Sequence, residues 1–290
     1  MIDPTVLGTP REVDLDGAVI RYRECGSGEP LVFVHGFAVN GLLWRKVVPK
    51  LSGQFRCIVP DWPFGSHELP MPAKADMHPP ALAKRIADFL SALKLDTATL
   101  IGNDLGGALC QLVVERYPER VARLILNPCD AFGNFPPPRV RYLVRLATIL
   151  GMPFVITQTL RLKPLRRLPI TYGVLTKRRL GSEILDAYME PMTCDRRIRR
   201  DAAKVIAGLS PHYTEAALAG LARFPRPVLL AWARDDYFFP FAHAEKLQEV
   251  FPKAEIIPIE DAHTLIAEDQ PERLWRAISK FCNKWPLATG

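Results

Sequence analysis

The chain has 290 residues, of which 48% are hydrophobic and 24% are charged, and its formal net charge is +7. This composition is typical of a globular protein, and a chain of this length buries enough surface to be stable without disulfides or structural metals. No run of eighteen apolar residues occurs, so we expect no integral membrane segment.

The positive charge is concentrated in one region. Residues 135–213 contain fifteen Lys/Arg and five Asp/Glu, a local net charge of +10 against −3 for the rest of the chain. Such a region is either a solvated, Arg-rich helical surface or a surface that attracts an anionic substrate or an acidic partner. We find no helix-turn-helix, zinc finger or basic stripe interleaved with aromatics, so nucleic-acid binding is not predicted.

The cysteines and histidines predict no metal site. The six cysteines are widely spaced, and the six histidines show no ligand spacing, which favours free thiols and no metal or organic cofactor. The first residues lack both a basic start and an apolar block. We therefore expect a cytoplasmic protein without a secretory signal.

Short, β-branched apolar runs alternate with helical patterns along most of the chain. Asp16-Gly17 separates the first two extended runs, which predicts a hairpin. Continuous apolar strands of this kind are typical of a parallel sheet covered on both faces, so the sequence predicts an α/β fold with a mostly parallel, doubly wound sheet. The predicted strands are Arg11–Leu15, Ala18–Cys25, Leu31–Val34, Phe55–Val59, Thr99–Ile101, Arg123–Leu126, Val228–Trp232 and Glu255–Ile259, and the predicted helices are Leu42–Leu51, Pro80–Leu93, Gly106–Tyr117, Ala242–Phe251 and Pro271–Lys284.

The alternation stops after the strand Arg123–Leu126 and resumes at Val228–Trp232. The intervening residues are rich in Pro and Arg, with helical patterns and no convincing strand. A gap of this size in a series of βα units predicts an inserted subdomain. We expect a core formed by residues 1–132 and 214–290, with a helical lid at residues 133–213.

The clearest chemical motif follows the strand that ends at Ile101. Residues 102–107 read GNDLGG, which has the form of a glycine, a spacer, a nucleophile, a spacer and a glycine between a strand and a helix. The glycines allow a strained turn that exposes Asp104 at the carboxyl end of the sheet, where ligands bind in open α/β folds. Asp104 could instead cap the helix, but capping does not require the flanking glycines.

Other segments share the pattern of one family. The elbow, His35-Gly36-Phe37 after a strand, residues 61–67 (DWPFGSH), residues 230–240 (LAWARDDYFFP) and residues 261–264 (DAHT) resemble motifs of the α/β-hydrolase superfamily. The resemblance covers nearly the whole chain, and outside the lid it is specific. Most members carry Ser at the elbow. An elbow Asp is similar to that of epoxide hydrolases and hydrolytic dehalogenases.

The resemblance implies a role for each of these residues. Asp104 would attack a saturated carbon and form an alkyl ester, which water activated by His263 would hydrolyse. Asp236 is the predicted third member of the triad, with Asp235 and Asp130 as alternatives. The backbone N–H groups of Phe37 and Leu105 would stabilise negative charge on the Asp104 carboxyl oxygen.

The leaving group stays open at the level of sequence. Haloalkane dehalogenases usually carry Trp after the nucleophile, and epoxide hydrolases generally do as well, whereas this chain has Leu105. Epoxide hydrolases use lid tyrosines to protonate the leaving oxygen. The lid offers four tyrosines, of which Tyr188 and Tyr213 are the preferred pair, and Asn40 and Trp44 are further candidate substrate contacts. We predict an epoxide-hydrolase-like enzyme for a small organic substrate. A dehalogenase and a non-catalytic ligand-binding protein remain alternatives, and the oligomeric state is not predicted. The four lid tyrosines are Tyr142, Tyr172, Tyr188 and Tyr213.

Overall fold

The structure, a computed structural model, describes residues 3–147, 149, 151–169 and 171–287. Its strands form one sheet, in which the first two strands pair antiparallel and the rest run mostly parallel. The strands are β1 (Thr9–Leu15), β2 (Ala18–Cys25), β3 (Pro30–Val34), β4 (Arg56–Pro60), β5 (Ala98–Asp104), β6 (Val121–Cys129), β7 (Val228–Ala233) and β8 (Ala254–Ile259).

The sheet has eight strands in the order β1-β2-β4-β3-β5-β6-β7-β8. β2 pairs antiparallel with both β1 and β4, whereas the pairs from β4 through β3, β5, β6 and β7 to β8 are parallel. The hairpin turn between β1 and β2 has positive φ at Asp16 (55°) and Gly17 (82°), as a type I′ turn requires. The predicted fold, an α/β-hydrolase fold with a mostly parallel doubly wound sheet, is confirmed.

Helices cover both faces of the sheet. Leu100 on β5 packs with one cluster, which includes residues of α2, α3, α8 and α9, and its neighbour Ile101 packs with a second cluster, which includes residues of α1 and α11. This alternation follows from the strand period of two. The helices are α1 (Val48–Leu51), α2 (Pro79–Ala92), α3 (Leu105–Arg116), α4 (Arg141–Ala147), α5 (Met152–Thr159), α6 (Ser182–Cys194), α7 (Arg196–Ala207), α8 (Pro211–Leu221), α9 (Phe241–Val250), α10 (Ile266–Asp269) and α11 (Pro271–Lys284).

The described residues between β6 and β7 form helices, 3₁₀ turns and loops, and none of them forms a strand. α4 to α7 pack mainly on one another, whereas α8 packs on α3 and so belongs to the layers of the core. Between residues 160 and 180 the chain forms short 3₁₀ turns, one of which is Tyr172–Val174. Within the described ranges, no helix combines the length and the apolar character needed to cross a bilayer.

Candidate active site

The turn between β5 and α3 carries Asp104 in a strained conformation. Its φ is 54° and its ψ is −130°, a region that non-glycine residues rarely occupy and that is common at functional sites. α3 begins so close to β3 that a Cβ on Gly106 would lie 2.3 Å from the Val34 carbonyl oxygen. The glycine is therefore required for the approach of helix and strand that fixes the Asp104 backbone.

Backbone donors hold the Asp104 carboxylate. The N–H of Phe37 donates to Asp104 Oδ2 at 2.9 Å, and the backbone N–H of Leu105 acts in the same direction by lowering the pKa of this carboxyl group. A Cβ on Gly36 would lie 2.2 Å from the same Oδ2, so only glycine lets the loop approach the carboxylate this closely. Both predicted N–H groups, those of Phe37 and Leu105, therefore lie beside the Asp104 carboxylate, and their role in stabilising negative charge stays a prediction.

His35 orders the loop that supplies one of these donors. Its Nδ1 lies 2.9 Å from the Gly36 carbonyl oxygen, and its Nε2 accepts the N–H of Trp62 at 2.9 Å. Burial lowers the pKa of His35 to about 3, so the ring is neutral, with the proton on Nδ1 donated to Gly36. This histidine has a structural role, since both ring nitrogens are bonded to backbone groups.

Three buried carboxyl groups interact at the carboxyl end of the sheet. Burial raises the pKa of Asp104 to about 6, although the N–H groups of Phe37 and Leu105 oppose the shift. Burial and the nearby Asp104 raise the pKa of Asp130 well above its usual value. Burial also raises the pKa of Asp236 to about 7. Because like charges disfavour joint ionisation, Asp104, whose pKa is raised least of the three, is the group best able to carry the charge.

Asp104 lies at one end of a cavity of about 450 Å³ between the core and the lid. Most of its wall is aliphatic or aromatic, with contributions from Leu105, Phe238 and Phe239 of the core and from the lid helices. The polar side chains that contribute to the lining are Asp104, Asp130, Thr157, Thr159, Thr171, Tyr172 and Arg199. A cavity of this size and character fits a small, mainly apolar organic molecule.

The structure does not join the predicted base to the predicted acid. His263 Nδ1 lies 3.0 Å from the carbonyl oxygen of Val174 in the lid, and His263 is absent from the described cavity lining. Asp236 Oδ1 instead accepts the N–H groups of Phe238 and Phe239 at 2.8 and 2.7 Å and the hydroxyl of Thr264 at 3.2 Å. The expected hydrogen bond between His263 and Asp236 is thus replaced by one from the next residue, Thr264.

The two alternative acids differ sharply in environment. Asp235 is exposed and bonds Lys177 Nζ at 2.7 Å, so it is a solvated loop residue. Asp130 follows β6 and lines the cavity. Its Oδ1 is buried without a hydrogen-bond partner among the described residues, so Asp130 is the second carboxyl group in the described lining of the cavity.

None of the four predicted substrate contacts lies in the described cavity lining, which corrects that set. Tyr188 is buried with its hydroxyl 3.4 Å from Glu268 Oε1, and Tyr213 packs on the core cluster of α2 and α3. Trp44 packs its ring on Phe33 at 5.2 Å. The amide of Asn40 donates to the carbonyls of Ser66 and Ala187. Each of these four side chains is thus engaged in packing or in a hydrogen bond away from the described cavity lining.

The lid tyrosine that does reach the cavity is Tyr172. Its ring stacks on Tyr188 with centroids 6.1 Å apart, and its hydroxyl donates to the Ala38 carbonyl. Asp104 is close enough to contribute to the raised pKa of Tyr172. The sequence indicated Tyr172 only as one of four lid tyrosines. It lies in a single 3₁₀ turn, in a region without the periodicity of a strand or a long helix, so the sequence does not show which way its side chain points.

Sequence comparison places these features among known hydrolases. Residues 29–140 match the family model described as the alpha/beta hydrolase fold. The chain is 29% identical over 273 residues to haloalkane dehalogenase 2 of Mycobacterium tuberculosis, covering 89% of this chain and 90% of that protein.

Structural comparison agrees with the sequence matches. A proposed ancestral haloalkane dehalogenase superposes with a TM-score of 0.80 at 22% identity, covering 94% of this chain and 98% of that one. The epoxide hydrolase CorEH superposes with a TM-score of 0.79 at 22% identity, covering 95% and 99%. At these identities, the two superpositions establish similarity of fold.

Proposed function

Since the chain has the α/β-hydrolase fold and resembles dehalogenases and epoxide hydrolases of that fold, we propose that it is a hydrolase that uses Asp104 as nucleophile on an epoxide-like substrate. The observation that carries this proposal is the strained Asp104, whose carboxylate accepts the N–H of Phe37 at the end of an apolar cavity. An ionised carboxylate can attack a saturated carbon without a base.

The first step follows from the polar groups of the cavity. Asp104 Oδ1 would attack a ring carbon, the ring C–O bond would break with its electron pair moving to oxygen, and that oxygen would take a proton. Tyr172 and Asp130 are two side chains of the lining that keep a proton at neutral pH, because burial raises the pKa of both. We assign the donation to Tyr172, whose hydroxyl would exchange the Ala38 carbonyl for the leaving oxygen.

Hydrolysis of the resulting ester would use the same backbone donors. Oδ2, held by the Phe37 N–H, would become the ester carbonyl oxygen and collect negative charge when water adds to the carbonyl carbon. The bond between the Asp104 carboxyl carbon and Oδ1 would then break, and Oδ1 would leave as a hydroxyl of the diol, with a proton supplied by the water, so that the carboxylate is restored. One oxygen of that carboxylate would come from water.

We keep His263 as the proposed base for this water. A hydrogen bond from Nδ1–H to the Val174 carbonyl would leave Nε2 as the acceptor nitrogen, which is the tautomer a base requires. Because His263 lies outside the described lining, this step requires the ring to leave Val174 and turn towards Asp104. His263→Gln should therefore form the ester at a near-normal rate and accumulate it, as intact-protein mass spectrometry would detect.

The decisive experiment is a single turnover in oxygen-18 water with a panel of alkyl and aryl epoxides. We expect one heavy oxygen in the peptide that contains Asp104, and none in Asp104→Asn, which should also be inactive. Active enzyme with unlabelled Asp104 would refute the covalent mechanism. Ligand-dependent thermal stabilisation that is the same in Asp104→Asn, without turnover of any substrate, would favour the non-catalytic alternative.

Dehalogenation is the second candidate, favoured by the similarity to the mycobacterial haloalkane dehalogenase. The described lining has no indole and no side-chain amide to bind a halide, and Leu105 follows the nucleophile. Arg199 is the one described lining side chain with N–H donors, and its Nη1 already donates to the Met192 and Thr193 carbonyls. Our preference would be reversed if a panel of haloalkanes and haloacids were turned over faster, measured as halide release, than the epoxides, measured as diol formation.

A further inference from the structure

The lid carries most of the large apolar side chains that face solvent. Of nine such exposed side chains in the described part of the chain, six lie between residues 142 and 168. We call these six the lid patch: Tyr142, Ile149, Phe154, Val155, Leu162 and Leu168. Scattered exposed apolar residues are ordinary, but a cluster within one short segment marks an interaction surface.

Helix α5 shows why this surface is not an ordinary lid exterior. Ile156 and Leu160 at its end line the cavity, while Phe154 and Val155 are 55% and 48% exposed. The helix reads MPFVITQT and has no charged residue. A surface helix normally buries one apolar face and presents a polar one to water, whereas this helix presents apolar side chains on both.

Positive charge surrounds the lid patch. Residues 139–168 contain seven Arg/Lys and no Asp/Glu. Arg139, Arg145, Arg161 and Lys163 are exposed, and Lys163 and Arg166 form salt bridges with Asp186 from α6. This segment therefore combines apolar side chains with Arg and Lys and has no acidic residue in its sequence. Such a surface is complementary to an anionic bilayer, because its apolar groups can enter the region below the phosphates while its basic groups bind the phosphates.

The lid patch also continues into the cavity wall. Leu168 is 40% exposed and lines the cavity, and Thr159 is likewise an exposed lining residue. Apolar compounds that would fill such a cavity concentrate in lipid, since transfer of apolar surface out of water is favourable. A bilayer at this face would therefore supply the cavity directly, which a protein partner would not do.

We propose that the lid patch docks on the surface of an anionic phospholipid bilayer. Phe154, Val155 and Leu162 would insert below the phosphates, and the surrounding Arg and Lys side chains would contact the phosphates. The docking itself is independent of the reaction. The further statement, that the cavity draws its substrate from the lipid phase, rests on the function proposed above. Docking and substrate uptake are therefore tested by separate measurements.

The test is flotation of the full-length protein with vesicles of phosphatidylcholine alone and of phosphatidylcholine and phosphatidylglycerol in equal parts. We expect binding to the mixed vesicles that weakens as salt is added, because ionic screening reduces attraction to the lipid charge. Arg139→Gln with Arg161→Gln should lower the partition coefficient about fivefold per residue. Phe154→Asp with Leu162→Asp should reduce binding to the level seen with phosphatidylcholine alone.

Val6→Asp is the matched control, since Val6 is 41% exposed outside the lid patch, and it should bind like the wild type. Circular dichroism melts should show that each variant is folded. If the double Asp variant is not folded, the double variant Phe154→Ser with Leu162→Ser replaces it in the test. Absence of binding to the mixed vesicles, or equal binding by wild type and folded patch variants, overturns the proposal. So does a wild-type dimer that the patch variants dissociate, without vesicle binding, because a second copy would then cover this face.

Turnover of a water-soluble epoxide separates docking from catalysis. Folded patch variants should retain this turnover and lose the acceleration that mixed vesicles give with a lipid-soluble epoxide. Vesicle binding without any epoxide turnover would leave the docking proposal standing and count against the proposed function.

Discussion

The two walls of the cavity are built in different ways. On the core side, Asp104 is fixed by a strained backbone and by the N–H of Phe37 at 2.9 Å, and a Cβ at Gly36 or Gly106 would collide with neighbouring atoms. On the lid side, the lining is mostly aliphatic, and it is supplied by short helices and 3₁₀ turns. The core wall thus tolerates little change, whereas the lid wall is set by shape and apolar character.

This difference separates reactivity from substrate choice. Backbone donors placed by strands and by a helix start are rigid, as stabilisation of developing charge requires. Apolar side chains on a lid can be exchanged for others of similar volume without loss of the fold. The strongest effects are therefore expected from small changes on the core side, and weaker, substrate-dependent effects from changes in the lid.

The largest effect is expected at the nucleophile. Asp104→Asn should lower kcat by about 10⁴-fold or more, as removal of a nucleophile does in other hydrolases. Asp235→Asn is the matched control, since Asp235 is exposed and bonded to Lys177, and it should remain within about twofold of wild type. Initial rates on the best epoxide measure both, and comparable losses in the two variants would contradict the assignment.

A methyl group on the loop beside Asp104 tests the rigidity of the core wall. In Gly36→Ala the new Cβ would meet Asp104 Oδ2 at 2.2 Å, so the carboxylate must leave its donors, and kcat should fall about 100-fold. Gly181→Ala in the lid has no heavy atom within 4 Å of its Cβ and a φ of −61°. That variant should keep its activity and its Tm, and similar losses in both would remove the contrast between the walls.

Tyr172 is the place where the lid should matter chemically. Tyr172→Phe removes the hydroxyl while keeping the ring in the lining, and kcat on epoxides should fall about 10- to 100-fold because the leaving oxygen loses its acid. Tyr188→Phe, whose ring lies outside the described lining, should change kcat little. If Tyr172→Phe slows halide release from haloalkanes as much as it slows epoxide opening, the hydroxyl is not the proton donor.

The smallest effects are expected from pH. Because burial raises the pKa of Asp104 to about 6, kcat/KM on an uncharged epoxide should rise with pH, with a midpoint near that value, as the carboxylate ionises. A profile that stays level down to the usual carboxyl range would show that the nucleophile is not this buried group.

The same shift has a consequence for stability. A raised native pKa means that the folded state holds the Asp104 proton more tightly than the unfolded state, so its contribution to stability is present at low pH and lost as pH rises through about 6. Asp104→Asn should therefore be more stable than wild type by about 3 kcal/mol at about pH 8, with a higher Tm, and nearly as stable as wild type at about pH 4. Thermal melts at the two values, compared with Asp235→Asn, measure this.

The elements that the sequence predicted well are those whose signals are local. The Asp16-Gly17 turn, the apolar strands and the elbow at Asp104 each have a short motif that fixes backbone conformation, and the structure has them at the expected places. The N–H donors of Phe37 and Leu105 followed from the same motifs, because the direction of a backbone group is set by the turn that contains it.

The side chains of the lid and of the histidine loop depended on contacts that no local pattern contains. Tyr172 rather than Tyr188 faces the cavity, and Thr264 rather than His263 bonds Asp236. Asp269 accepts the N–H groups of His263, Lys177 and Arg178, and so joins the histidine loop to the lid, a role that the sequence analysis did not assign.

By itself, the sequence determined the sheet, the elbow and the presence of a carboxylate at the elbow, because periodicity and turn chemistry act over a few residues. The tertiary structure decided which lid residues face Asp104, where the imidazole lies and which apolar side chains remain in solvent. Those outcomes depend on how separate segments pack together, and the energy of packing belongs to the assembled pair of surfaces rather than to either segment alone.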